Sequence, residues 1–197
     1  MTLKGAKIGF GVTGSHCTLE EVLPEMKKLK DAGAEVVPFI TPTVLKTDTK
    51  FGASEKWQKE IKKATGCEPV STIVEAEPFG PKTPLDLMVV APLTGSSLSK
   101  FANALTDSAV LMAAKATLRN QKPVVVAVST NDAMAMNGEN LMKLMNAQNI
   151  FIVPLGQDAP DVKPTSLVAR MEAIPATVEE ALRGRQIQPV FIEKFRD

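Results

Sequence analysis

Five short runs of the chain are almost uninterruptedly apolar: Lys7 to Val12, Glu35 to Thr41, Leu85 to Pro92, Pro123 to Thr130 and Ile150 to Leu155. Each is bounded by Gly, Pro, Asn or Asp, the punctuation expected around strands. Continuous apolar runs, unlike alternating ones, imply burial on both faces, as in a parallel sheet flanked by helices. Segments of helical period lie between them. Thr18 to Ala32 carries Leu19, Val22, Met26 and Leu29 at near-helical spacing and stops before Gly33, and Asp107 to Arg119 and Asn140 to Ala147 behave alike. Strand alternating with helix predicts a three-layer, doubly wound parallel α/β sheet. Pro24 lacks an amide donor inside the first helical pattern, so it either kinks that helix or sets its start near Leu23.

Two stretches break the alternation. Lys46 to Cys67 combines Lys56, Lys59, Lys62 and Lys63 with Trp57 and Ile61, the pattern of a solvated amphipathic helix with its aromatic turned inward. Glu75 to Pro84 holds three prolines and a glycine, which predicts an irregular loop over an edge or a lid. Beyond Gly156 the chain becomes Pro-rich, with helical patterns around Ser166 to Glu172 and Val178 to Arg183. The apolar tail Val190 to Phe195 is expected to be buried on the domain or on a neighbouring subunit. No linker or repeat divides the chain. A single domain is expected over residues 1–197, with its core at about 5–155 and C-terminal helices and tail at 156–197.

Composition leaves that picture unchanged and narrows the partners. A chain of 197 residues, 44% hydrophobic and 23% charged, matches ordinary soluble domains. At this size roughly 70% of the unfolded chain's surface is buried on folding. The formal net charge of +1 supplies no field for nucleic acid or an anionic membrane, so a small molecule or another protein is the expected partner. No apolar run spans a bilayer and the start lacks a signal segment, which reads as a cytoplasmic protein. Cys17 and Cys67 form no metal-ligand or disulfide spacing, so no metal site is expected and both thiols are read as reduced.

The candidate chemistry lies in the loops that follow the strands. After the first strand come Gly11-Val-Thr-Gly-Ser15, His16, Cys17 and Thr18, with Glu21 spaced from Thr18 as in a capping box. Glycines allow a tight turn, and amides at the start of the next helix can hold a phosphate, with the hydroxyls of Thr13 and Ser15 as further donors. The spacing is neither that of a dinucleotide fingerprint nor that of a Walker loop, and an ordinary strand-to-helix turn looks similar. Three more strands end in small hydroxyl residues: Thr41-Pro-Thr43, Pro92-Leu-Thr-Gly-Ser-Ser97 and Ser129-Thr-Asn-Asp132. Such residues also serve as caps and turns. Four of these loops at the carboxyl edge of one sheet, where open α/β sheets bind ligands, favour a ligand.

Three blocks in order carry a resemblance: Gly11 to Ser15; Ala91 to Ser97 with Lys100-Phe-Ala-Asn103 and Thr106-Asp107; and Val126 to Met134. They are similar to the homo-oligomeric flavin-containing cysteine decarboxylase superfamily, a flavoprotein family of Rossmann-like fold. Within it, Gly14-Ser-His-Cys-Thr18, Ser129 to Asp132, Gly156 to Pro160 and Val168 to Met171 resemble the flavoprotein-like subunits of two-component synthases of pyridine-2,6-dicarboxylate. The resemblance implies bound FMN, with Gly14 and Ser15 at its phosphate beside Gly11 and Thr13. Thr41 and Thr43 would stand nearby, Pro92, Leu93, Thr94, Gly95, Ser96 and Ser97 along the flavin, and Asn131 at the place of the family's Pro-Ala-Met-Asn asparagine. It also implies a homo-oligomer, a Rossmann-type partner subunit that brings NAD(P), and a small dicarboxylate substrate. The setting it implies is the cytoplasm of the mother cell in a sporulating bacterium, and the reaction is oxidation of a dihydro- or tetrahydro-precursor. Departures accompany it. The decarboxylases carry a His ahead of the third strand, whereas Glu75 to Pro84 has none, which weighs against decarboxylation. Ser96 and Val128-Ser-Thr130 replace family residues around the flavin. A flavin-free scaffold subunit is therefore the alternative expectation.

Among individual residues, His16 is the candidate proton carrier, because an imidazole titrates near neutrality; a helix-start His can equally bond backbone. Cys17 is a candidate nucleophile at a helix N-terminus, or simply a small packed thiol. Arg170 and Lys163 are candidates for a substrate carboxylate, which the planar guanidinium suits best. Asp107 and Asp132 read as helix caps, and the methionines at 134, 136, 142 and 145 as packing.

Overall fold

The computed structural model describes residues 3–191. Its strands are β1 (Lys7–Val12), β2 (Glu35–Ile40), β3 (Leu87–Leu93), β4 (Val124–Thr130), β5 (Ile150–Ile152), β6 (Leu155–Gly156) and β7 (Leu167–Ala169). Its α-helices are α1 (Leu19–Asp31), α2 (Pro42–Lys46), α3 (Ser54–Thr65), α4 (Ile73–Ala76), α5 (Gly95–Ala102), α6 (Ala109–Arg119), α7 (Gly138–Met145) and α8 (Ile174–Leu182).

Five strands pair in parallel in the order β2-β1-β3-β4-β5, with Gly9 opposite Val37 and Met88, and Val89 opposite Val125. The continuous apolar runs have the cause expected of them: β3 is buried along all seven residues. Helices α1 and α8 pack on one another and on β3, while α6 packs on β1, β2 and β3. Trp57 and Ile61 of α3 are buried and its lysines are largely exposed, as its amphipathic pattern predicts. Pro24 sits inside α1, which begins at Leu19 and runs through it.

Elsewhere the structure corrects the reading. The Ser166 to Glu172 pattern is helical only at its end, where Met171–Ala173 makes a 3-10 turn; Leu167–Ala169 forms β7, antiparallel to β6 and to the end of β4 (Ser129 opposite Val168, Thr130 opposite Leu167). A seven-stranded mixed sheet results, with a short antiparallel hairpin beside the β4 end. The Pro-rich stretch before β3 opens with regular structure. Thr72 caps α4, its hydroxyl accepting from the Glu75 amide while the Glu75 carboxylate accepts from the Thr72 amide. The Thr72 hydroxyl also donates to that carboxylate at 2.9 Å, and this bond first, then those from the Ser71 and Thr72 amides, holds the Glu75 carboxyl below its usual value. The capping box expected at Thr18 and Glu21 is absent, because the Thr18 hydroxyl donates to the Ser15 carbonyl. Of the apolar tail, Val190 is half-buried against the core and accepts from the Leu155 amide, Phe191 is largely exposed, and the rest lies outside the described residues. Among those residues no helix is long and apolar enough to cross a membrane.

Candidate functional site

Parallel strands deliver their loops to one edge, and the winding reverses at β1: the chain goes to β2 on one side of it, then crosses over to β3 on the other. At such a switch point the loops diverge and leave a crevice. A cavity of about 360 Å³ lies there, lined by Gly14, by Thr41 to Thr43 at the end of β2, by Thr94, Ser96 and Ser97 at the start of α5, and by Ser108 at the start of α6. Both helices are capped by side chains in this wall: the Thr94 hydroxyl accepts from the Ser97 amide at 3.3 Å, and the Ser108 hydroxyl from the Leu111 amide at 3.3 Å. Helix N-termini favour negative charge. Asp107, read as a cap, instead holds Lys100 at 2.6 Å on the same rim.

The loops are locked together by groups that leave nothing over for a ligand. The Thr13 hydroxyl, fully buried, donates to the Pro92 carbonyl at 2.6 Å and accepts from the Thr94 amide at 3.0 Å. It therefore joins the ends of β1 and β3. Pro92, which follows a cis peptide, and Leu93 are buried strand residues. Gly11 lies within β1, where a Cβ would stand 2.6 Å from Val110 and 2.7 Å from Met88, so this glycine admits α6 to the sheet. At Gly95 a Cβ would stand 2.5 Å from Thr130 Oγ1 and 2.8 Å from Asp132 Oδ1, so the glycine lets the β3 and β4 loops meet. Asp132 accepts from Thr130 and Asn137 at 2.6 and 2.8 Å and braces the β4 loop from within.

One group is left over. Thr41 is 6% exposed, lines the cavity, and its Oγ1 has no hydrogen-bond partner. A buried hydroxyl without a partner costs about 1–3 kcal/mol. Such a cost persists where a ligand removes it. Neutral hydroxyls, helix starts and this orphaned oxygen together suit a phosphate-bearing group.

A second, larger cavity of about 750 Å³ shares Gly14 and Thr94 with the first. The β1 loop supplies Ser15, His16 and Cys17, the β4 end Ser129 to Asn131, and the β6–β7 loop Asp158 and Lys163. Ser15 and Ser129 share a hydrogen bond of 3.0 Å, and Cys17 Sγ lies 3.6 Å from Ser15 Oγ with the residue exposed. His16 is buried and its Nε2 has no partner. Asn131 Oδ1 accepts from Ser166 at 3.3 Å. The buried Ser166 hydroxyl also bonds Asp158, and this bond, with Lys163 at 3.0 Å, lowers the Asp158 carboxyl below its usual 3.8. Asp158 in turn raises Lys163 above 10.5. Arg170 does not line this cavity: its side chain is 71% exposed, 3.7 Å from Glu172, and lines an adjoining hollow that shares Glu21, Asp158 and Val168 with it and also holds Pro189 and Phe191. Sequence reasoning missed Ser108 and Lys100 at the first cavity and Thr49 to Phe51 at the second. Only the cap pattern before α6 pointed to Ser108.

With this geometry in place, similarity to known proteins is informative. The flavoprotein family profile matches residues 1–182. The chain is 56% identical over 195 residues to the B subunit of dipicolinate synthase from Bacillus subtilis (strain 168), covering 99% of this chain and 98% of that one. The crystal structure of the corresponding B subunit of dipicolinate synthase from Bacillus halodurans superposes with a TM-score of 0.91 at 64% identity, over 99% of this chain and all of that one. The FMN-dependent cysteine decarboxylase SpaF shares the fold, with a TM-score of 0.67 at 19% identity over 91% of this chain and 99% of its own.

Proposed function

The chain belongs to the flavoprotein family, and from that premise we propose that it is the FMN-carrying subunit of a dipicolinate synthase. In this reading a dihydro- or tetrahydrodipicolinate precursor is oxidised to pyridine-2,6-dicarboxylate with a Rossmann-type partner, the A subunit of dipicolinate synthase, which brings NAD(P). The work is done by a homo-oligomer in the mother-cell cytoplasm of a sporulating bacterium. The observation that carries the cofactor assignment is the buried, unpartnered Thr41 hydroxyl in a cavity built from strand ends and helix starts.

Gly14, Ser15, Thr41 and Thr43 hold the phosphate, while Thr94, Gly95, Ser96 and Ser97 run beside the ring system. When bound, FMN supplies a hydride acceptor. Aromatising a dihydropyridine also releases a proton. His16 takes it at Nε2, the nitrogen for which the protein offers no partner. Cys17 and Asn131 stand on the wall of the same cavity and help to orient the substrate. Arg170 lines the adjoining hollow, where Glu172 lies 3.7 Å away, and is given no role.

The test is FMN uptake by the purified chain, alone and with its partner subunit, followed by flavin absorbance. Uptake of one FMN per chain is expected, and Ser15→Asp, which sets a negative charge against the phosphate, should abolish it. A chain that stays colourless with excess FMN overturns the reading in favour of a flavin-free scaffold subunit.

A further inference from the structure

The turn between α2 and α3 is built more tightly than a surface connection needs. Asp48 Oδ1 accepts from the amide and the hydroxyl of Ser54 at 2.8 and 3.0 Å, which pins the turn to the first residue of α3. Thr49 and Gly52 exchange backbone hydrogen bonds of 3.1 and 3.0 Å, and the Phe51 amide donates to Thr49 Oγ1 at 3.2 Å. Gly52 has φ +146°, a region that favours glycine. The two residues this frame presents, Lys50 and Phe51, both line the second cavity.

Their chemistry is specific. The Phe51 ring is 43% exposed, and the Lys50 ammonium lies 5.2 Å from its centroid. Lys50 forms no ion pair among the described residues, whereas Lys163, the other cation of this cavity, is paired with Asp158. Glu21, the remaining carboxylate on the wall, stands exposed at the rim, where water and salt screen it. The cavity thus holds a cation with no carboxylate partner among the described residues, lying over an aromatic ring that is itself exposed.

The geometry points to a substrate-recognition turn: Lys50 and Phe51 bind a flat, carboxylate-bearing ring, the carboxylate on the ammonium and the ring against Phe51. A second carboxylate on the same ring reaches the hydroxyl of Ser129, on the wall of the same cavity. The inference rests on the dipicolinate-forming reading above for the substrate's identity, and on the turn alone for its chemistry.

Calorimetric titration of the full chain, loaded with FMN, tests it with two probes: pyridine-2,6-dicarboxylate, and pimelate as an open-chain diacid without the ring. Lys50→Gln should weaken both acids about tenfold, the worth of one lost charge-assisted bond, and Lys50→Arg should restore binding. Phe51→Leu should weaken only the ring acid, about fivefold. Both side chains are exposed, so equal melting temperatures and equal FMN uptake are expected in all variants. Lys50→Gln and Phe51→Leu variants that bind like the wild type overturn the inference, as does a wild-type chain that binds neither probe, or binds pimelate as well as the ring acid. If FMN uptake fails while the ring acid still binds through Lys50 and Phe51, the cofactor reading falls and the turn stands.

Discussion

The two cavities share a wall and are made differently. The first is framed by strand ends and capped helix starts, with the Thr13 hydroxyl bridging β1 and β3 from complete burial. The second is closed by surface segments, the Asp48 to Ser54 turn and the β6–β7 loop, held by bonds among exposed and half-exposed charges. A frame set by the core stays fixed at the cost of the whole fold's stability, whereas surface segments open locally for far less. The first cavity is suited to a group that stays, the second to one that comes and goes.

That contrast breaks most visibly if the core is disturbed. Gly11→Val pushes a side chain into Val110 and Met88, and overpacking of this kind costs about 1–3 kcal/mol. The Tm should fall by roughly 2–4 °C per kcal/mol, with FMN uptake falling alongside. A variant with unchanged Tm refutes the packing role given to Gly11. Thr41→Val is smaller and more selective. It deletes a hydroxyl that has no partner in the protein, so melting should hold or rise while FMN affinity drops about tenfold, the worth of one hydrogen bond to a charged group. Equal losses of stability and affinity would mean that Thr41 serves packing instead.

At the second cavity, Lys163→Gln should leave both Tm and FMN uptake unchanged and speed amide exchange across residues 157–165 by roughly two- to fivefold, the reach of an exposed pair. Loss of FMN in this variant would erase the distinction between the cavities. The smallest effect concerns pH. Asp158 titrates below its usual 3.8, so its stabilising share is complete above that pH and is lost as pH falls through the lowered value. Lys163 titrates above 10.5, so its share is complete below that pH and is lost as pH rises through the raised value. Exchange in this loop, corrected for intrinsic rates, should be flat from about pH 5 to 9 and quicken near and below about pH 4 and again above 10.5. A change across neutrality would point to a different latch.

The parallel core was legible in the sequence because burial on both faces leaves an unbroken apolar run: β1 begins and ends where the pattern places it, and β2 and β4 do so within one residue. The hairpin was not. Leu167-Val-Ala169 is too short to show a period of two, and the helical residues that follow it, from Met171 onward, extend their spacing back over it. At the site, hydroxyl residues at four strand ends were visible as a group, yet their division of labour was not. Thr13 and Thr41 look alike in sequence, and only their partners separate a hydroxyl that ties two loops from one with no partner in the protein. Arg170 was favoured for its guanidinium, but sequence could not show that the hairpin turns it toward Glu172 and away from the strand ends. Lys50 and Phe51 escaped notice because a lysine-rich stretch reads as a solvated helix, whereas Asp48 and Gly52 make its first residues a turn.

The central claim is that the first cavity is a phosphate cradle for a resident flavin. Comparing the affinities of the purified chain for FMN and for riboflavin, which lacks only the phosphate, tests it most directly. The account predicts at least about tenfold tighter binding of FMN, since a single hydrogen bond to a charged group is worth roughly 1.5–3 kcal/mol, with most of that advantage lost in Thr41→Val. Equal affinity for the two flavins would contradict it.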